Sequence, residues 1–321
     1  MPSCVPSAPG FETPGAEITP DDVAEAMQWD GIIGLGEVMD FPGVFNASDK
    51  MMAEIAATRD AGKVIGGHYP NLDLGKGFHG YAAAGIEDDH EGTRVEDALA
   101  RVRQGMKAML RYGSGWLDVE GQVDAILKHK LDTRRFLLCT DDSHAQTLSH
   151  DGHMDRVLRH AIDVGLPPLT AIQMMTINTA EHFGLSREMG MIAPGRWADV
   201  LLVEDLNDFH PAMVIAKGQV IAQDGELIIE MPQVAYPGWA RKSVNLGHAL
   251  RAEDFALKTE AGSGTSVTAN VIGVIENQAP TEHLKMQVQP NDEEIHVDME
   301  RDIAKLALVE RHKATGDVVV G

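Results

Sequence analysis

Glu37, His68, His90 and Asp141 are the four side chains in this 321-residue sequence whose types and placement point to chemistry. Each follows a short apolar or glycine-bounded run: GIIGLG, KVIGG, GIEDD and RFLLCT respectively. They are 31, 22 and 51 residues apart. A strand–helix unit takes about 30 residues, so the first two gaps read as one unit each and the last as about two. In a parallel barrel the strand ends converge on one mouth, where sites are built. Two imidazoles and two carboxylates meeting there form a mixed nitrogen–oxygen site, suited to Mn, Fe or Zn rather than to a thiolate-preferring ion. Taken singly, each residue also has an ordinary reading. Glu37 could be a solvated loop carboxylate, His68 in GGHYP a turn histidine, and His90 in EDDHE a surface residue. Asp141-Asp142 is stronger, because an acidic pair after a buried strand is poorly placed for stability alone. No pair has the i, i+4 or H-x-H spacing that makes a metal motif strong by itself. The joint pattern carries the expectation.

The elements that must position these residues alternate along the chain. The first fifteen residues read as loop, and Thr19-Pro20-Asp21-Asp22 has helix-start chemistry. Short strands are expected at 31–38, 63–67 and 135–140, and helices at 48–61, 75–84, 119–129 and 169–183. A long helix is expected over 95–110, with Val95, Leu99, Val102, Met106 and Met109 on one side. Strand then helix, repeated with little alternation inside the strands, implies a parallel sheet covered on both faces, an α/β fold. From about 190 to 231 the pattern becomes β, with strands at 198–204 and 214–221 and a turn at Asp224-Gly225. Beyond Pro232, a loop at 261–265 and a strand at 267–275 are expected. The chain ends on the apolar run Val318-Val319-Val320, which predicts further sequence beyond it.

Composition narrows the partners. Lys and Arg number 27 against 49 Asp and Glu, a net charge of −22. Such acidity repels nucleic acid and anionic lipid, so neither is the expected partner. Two cysteines, Cys4 and Cys139, make no disulfide framework and predict a reducing, cytoplasmic setting; Cys139 reads as a buried small hydrophobe. No apolar stretch approaches the roughly 18 residues of a membrane span.

Several segments carry a resemblance: PSCVPSAPGFETPGAEI at 2–18, GLGEVMDFPGV at 34–44, GKVIGGHYP at 62–70 and YAAAGIEDDHEG at 81–92. LLCTDDSH at 137–144, DGHMDRVLRHAIDVG at 151–165, MTINTAEHFGL at 175–185 and GMIAPGRWADVLLVEDL at 190–206 continue it. With these the chain resembles the bacterial adenine deaminase family of the amidohydrolase superfamily. The resemblance implies a partial TIM-type (β/α) barrel at 1–189 comprising strands 3/4 to 8. A small β-sandwich segment at 190–231 and an incomplete α+β C-terminal region at 232–321 would follow. It implies metal-dependent hydrolysis of adenine to hypoxanthine and ammonia, with Mn or Fe as the first choice and Zn second. Glu37 would be the strand-4 carboxylate that bridges or binds the metals, His68 and His90 the strand-5 and strand-6 imidazoles, and Asp141 the strand-8 metal ligand that shuttles protons, with Glu37 and Asp141 as the catalytic pair. Weaker candidates for substrate contact are Asp142, His144 and Arg111. A purine partner and a homo-oligomer are implied as well. The chain departs from the family pattern in having no two histidines separated by one residue, in continuing Arg111-Tyr112-Gly113-Ser114 with GWLDVE, and in placing Ser143 after TDD. The region expected before PSCVP is absent from the sequence. These departures keep two alternatives in view: another hydrolase of cyclic amides or amidines, and a non-catalytic truncated paralogue that needs a partner.

Overall fold

Apolar runs too short for helices and bounded by glycine become the strands of a parallel array. The computed structural model describes all residues except 2, 4, 261–264 and 277–279. Cys4 and most of the loop expected at 261–265 therefore lie outside the described residues. Strand β1 (Gly34–Val38) pairs in parallel with β2 (Val64–Gly67), Leu35 opposite Ile65 and Val38 opposite Gly67. Strand β3 (Asp88–Asp89) pairs with β4 (Lys107–Arg111), and β4 pairs with β5 (Phe136–Cys139), all in parallel. Backbone bonds continue the series from β2 to β3: Glu87 N–H donates to Ile65 O at 2.9 Å, and Lys107 N–H donates to Glu87 O at 2.8 Å. Met1 runs beside β1, its amino group donating to Gly34 O at 3.1 Å and its carbonyl accepting from Gly36 N–H at 2.8 Å.

Helices follow the strands. They are α1 (Pro20–Ala26), α2 (Phe41–Phe45), α3 (Asp49–Asp60), α4 (Lys76–Ala83) and α5 (Val95–Arg103). After these come α6 (Val119–Gln122), α7 (Asp124–Leu127), α8 (Ala145–His150), α9 (Met154–Asp163), α10 (Pro168–Met175) and α11 (Ile177–His182). Capping chemistry places the first ones: Thr19 and Asp22 form a capping box on α1, and Ser48 caps α3. Two apolar cores result. One gathers Leu35, Ile65, Tyr69, Phe78 and Tyr81, and the other gathers Leu110, Phe136, Val157, Ala161 and Met174. Each fully buried Leu or Phe here contributes about 1.5–3 kcal/mol, which fixes the strands whose ends carry the candidate residues.

The expected helix over 95–110 is not there. It stops at Arg103, and residues 107–111 are β4. Gly105 takes left-handed backbone, with φ +84°, while Met106 N–H donates to Arg101 O and Gly105 N–H donates to Val102 O. This is a Schellman stop, and the helical spacing of Met106 and Met109 beyond it is coincidence. The expected strand 214–221 is likewise two strands: Lys217 and Gly218 both have positive φ, making a two-residue hairpin turn. Thus β6 (Val200–Val203), β7 (Pro211–Ala216), β8 (Gln219–Gln223) and β9 (Glu226–Leu227) form one antiparallel sheet where a β-sandwich segment is expected. The helices expected at 119–129 and 169–183 are each broken in two.

The described residues group into two units, one of residues 1–8 and 18–232, the other of 9–17, 233–276 and 280–321. The second unit is expected to be α+β but is mainly β. Its pairs are β10 (Leu257–Lys258) with β13 (Glu294–Ile295), β11 (Val267–Val274) with β12 (Thr281–Val288), and β14 (Ala307–Val309) with β15 (Val318–Val320). Its one α-helix among the described residues is the four-residue Gly238–Arg241. Among the described residues no helix is long and apolar enough to cross a membrane.

One buried group in the first unit sets a pH dependence. Glu54 on α3 is 1% exposed and neither carboxylate oxygen has a hydrogen-bond partner. Burial, reinforced by the charge of Asp40 and opposed by Lys50, pushes its pKa up to about 7. The folded state therefore holds a proton that the unfolded chain releases near its ordinary value of 4.5. Stability falls as pH rises between those two values and levels off above the upper one, by about 3 kcal/mol in all. Glu54→Gln is expected to unfold in urea like the wild type at pH 4.5 and to be about 2–3 kcal/mol more stable at pH 8. An equal difference at both pH values would contradict this account of Glu54.

Candidate metal centre

Glu37, His68 and His90 come together because they end or follow three neighbouring parallel strands. Glu37 lies in β1, His68 follows β2, and His90 follows β3. Glu37 Oε2 is 2.6 Å from His90 Nε2 and 3.2 Å from His68 Nδ1. The two imidazoles meet edge to face with ring centroids 5.5 Å apart. Asp141, two residues past the end of β5, reaches the same place: its Oδ2 is 3.6 Å from His90 Nε2. The four residues singled out in the sequence thus meet around one pocket, half-buried, with donor atoms in two overlapping groups. In Glu37–His68–His90 and in His90–Glu91–Asp141 the atoms all lie within 4.8 Å of one another.

Glu91 joins them without having been singled out. Its Oε1 is 3.3 Å from His68 Nδ1, 3.6 Å from His90 Nε2 and 2.6 Å from Arg111 Nη1. Arg111 Nη1 is also 2.6 Å from Asp141 Oδ2, and Arg111 Nε donates to Asp118 Oδ2 at 2.8 Å. Arg111 is 1% exposed. It is therefore a buried partner of three carboxylates, not the substrate contact expected from the sequence. Asp142 and His144 are exposed and lie outside the donor group. His144 borders a cavity of about 620 Å³ with Ser114, Gln146 and Thr147.

The loops after β4 and β5 are tied together, which fixes Asp141. Tyr112 N–H donates to Cys139 O at 3.0 Å and Ser114 N–H to Asp142 O at 3.0 Å. Ser114 Oγ accepts from His144 N–H and donates to Thr147 Oγ1, both at 2.8 Å. Gly113 is required between them, since a Cβ there would lie 2.6 Å from the carbonyl oxygens of both Thr140 and Asp142. Behind the pocket, Asp88 accepts from Gly67 N–H at 3.1 Å and pairs with His182 Nε2 at 2.5 Å. It thereby links the residue before His68 to the strand that leads to His90.

Electrostatics shows what the pocket lacks. Burial pushes the Glu37 carboxyl upward, but hydrogen bonds and charge from His68 and His90 outweigh it and hold the group well below the usual carboxylate range. Burial lowers His90, yet its bond to Glu37 and the charges of Asp89, Glu37 and Glu91 raise it to about 9. Asp118 is pushed up to about 6 by burial against the pull of Arg111. Glu91, Asp118 and Asp141 share the Arg111 guanidinium while Glu37 bonds the two imidazoles, so the four carboxylates have one permanent cation among them, an excess of negative charge that a divalent cation offsets. Imidazole nitrogen and carboxylate oxygen are the donors such an ion takes. The residues fit a divalent metal. Cys139 is no part of this chemistry, its thiol being raised far above its ordinary range by burial.

Comparison with known proteins agrees with this reading. The amidohydrolase family matches residues 4–221. An adenine deaminase of Ruegeria pomeroyi is 57% identical over 319 residues, covering 99% of this chain and 53% of that protein. One from Mesorhizobium japonicum is 58% identical over 318 residues, covering 99% of this chain and 52% of that protein. The chain spans about half the length of the curated relatives it matches. Among solved structures, a β-aspartyl dipeptidase from Fervidobacterium islandicum aligns with a TM-score of 0.50 at 17% identity, covering 66% of this chain and 63% of that one. A match over most of the first unit, with histidines and carboxylates at neighbouring strand ends, places the chain in the amidohydrolase family of metal-dependent hydrolases.

Proposed function

We propose that this chain supplies the metal-holding part of a hydrolase that converts adenine to hypoxanthine and ammonia. The observation that carries the reading is the meeting of Glu37, His68, His90 and Asp141 at adjacent strand ends. Sequence identity of 57–58% to proteins named adenine deaminase supports the choice of substrate. The five parallel strands are read as strands 4 to 8 of a (β/α) barrel. Mn or Fe is the preferred ion and Zn the second choice, from a donor set of two imidazoles and several carboxylates.

Glu37, His68 and His90 would hold the ion, with Asp141 beside them. Bound there, a divalent metal acts as a Lewis acid and makes hydroxide available near neutral pH. Asp141 Oδ2, half-buried and fixed by Arg111, is the group placed to accept a proton from water and to pass it to the leaving amine. Arg111 keeps that carboxylate aimed, and Glu91 steadies His68 through Nδ1. His144 and Asp142, on the loop after β5, remain the proposed substrate contacts. The reading carries with it a homo-oligomeric assembly and a cytoplasmic location, and the net charge of −22 opposes a nucleic-acid partner.

Two readouts on the Mn²⁺-loaded chain test the proposal: ammonia release from adenine and cytosine, and ring opening of dihydroorotate, which liberates no ammonia. Release from adenine alone is the expected result. Turnover of dihydroorotate with adenine untouched would replace this reading with another cyclic-amide hydrolase.

A further inference from the structure

Distance alone suggests room for two divalent ions, since the group His90–Glu91–Asp141 is as closely spaced as Glu37–His68–His90. The chemistry of the atoms argues otherwise. His90 belongs to both groups, and a neutral imidazole offers one lone pair at Nε2, enough for one ion. That leaves Glu91 and Asp141 for a second ion, and both already hold a cation. Arg111 Nη1 is 2.6 Å from Glu91 Oε1 and 2.6 Å from Asp141 Oδ2, and Nη2 is 3.3 Å from Glu91 Oε2. The guanidinium is anchored from behind by Asp118 through Nε at 2.8 Å and lies 5.3 Å from the centre of the Trp116 ring.

Resting on the metal-centre reading above, we propose that Arg111 is a resident cation. Its guanidinium occupies the second cation position, so that the pocket takes one divalent ion per chain. Several features favour this arrangement over displacement of Arg111 by a metal. The side chain is tethered and 1% exposed, so it has no solvent position to retreat to. Its planar fork matches carboxylate geometry on two sides, which an ammonium would not. Moving it would also leave Asp118, one of whose oxygens is already buried without a partner, with neither of them satisfied. Conversely, a folded chain without this guanidinium would present Glu91, Asp118 and Asp141 around the vacated position. Three carboxylates form an oxygen cage of the kind Mn²⁺ accepts.

The experiment is a Mn²⁺ titration of the full chain, with free Mn²⁺ read by electron paramagnetic resonance. Wild type is expected to bind one Mn²⁺ per chain, as is Arg111→Lys, which keeps a cation in place. Arg111→Ala is expected to bind two. A folded Arg111→Ala that still binds one overturns the assignment, as does wild type binding two. If the alanine variant is unfolded without metal, its refolding is followed against added Mn²⁺ by circular dichroism. A requirement for two equivalents supports a resident cation and a requirement for one overturns it. Wild type binding none would remove the metal centre itself, a result distinct from failure of the Arg111 assignment.

Discussion

Glu37→Gln is expected to weaken divalent-metal binding by at least about a hundredfold, a loss of about 2.8 kcal/mol, while the chain stays folded. Among the described residues, Glu37 Oε2 is the one carboxylate oxygen within 3.2 Å of both candidate histidine nitrogens. The amide keeps the shape and one oxygen but removes the charge that complements the ion. The Glu37 side chain is 36% exposed and the amide oxygen can still accept from one of the two imidazoles, so the loss of stability is expected to be about 1 kcal/mol, smaller than the loss of affinity. Competition titration with a chromophoric chelator measures the affinity, and urea unfolding of the metal-free chain measures the stability. Affinity within threefold of wild type would exclude Glu37 from the centre. Equal losses of affinity and stability would instead make its role structural.

His182→Leu is expected to cost the first unit about 3–5 kcal/mol of stability. His182 and Asp88 are side chains about 4% exposed, joined across 94 residues of chain. Removing the imidazole leaves the Asp88 carboxylate buried with, among the described residues, the Gly67 N–H on Oδ1 as its remaining hydrogen bond. Replacing both partners, with Asp88→Asn added to His182→Leu, is expected to recover part of the loss, because the stranded charge is then gone. Because Asp88 also braces the strand that leads to His90, metal affinity of the single variant should fall as well. Urea unfolding of the two single variants and the double variant completes the cycle. Additive losses, with no coupling between the two sites, would contradict the account.

Three of the four central residues were legible because local chemistry and topology agree at those places. Apolar runs stopped by glycine made β1 and β2, and RFLLC made β5, so that Glu37, His68 and Asp141 could be placed at strand ends from sequence. His90 was reached through spacing, since the strand before it is the acidic pair Asp88–Asp89 rather than an apolar run. The rest of the site was hidden by one error of period. Val95, Leu99 and Val102 share a helix face, and Met106 and Met109 continue that spacing past Gly105. The left-handed glycine ends the helix, and the strand after it carries Arg111 into the interior. Without β4, nothing in the sequence places Arg111 in the interior or gives Asp118 a reason to be buried. Glu91, in the run EDDHEG, reads as one more solvated acid. Only the fold shows that its neighbours there include two imidazoles and a guanidinium. In the second unit, strands whose residues alternate between half-buried and exposed gave too little apolar signal to be told from mixed α+β structure.

An anomalous difference map from crystals of the full chain soaked in Mn²⁺ tests the central claim most directly. The account predicts a peak within about 2.0–2.3 Å of Glu37, His68 and His90 side-chain donors, beside Asp141. A peak bound elsewhere, or none while Mn²⁺ is present in excess, would contradict it.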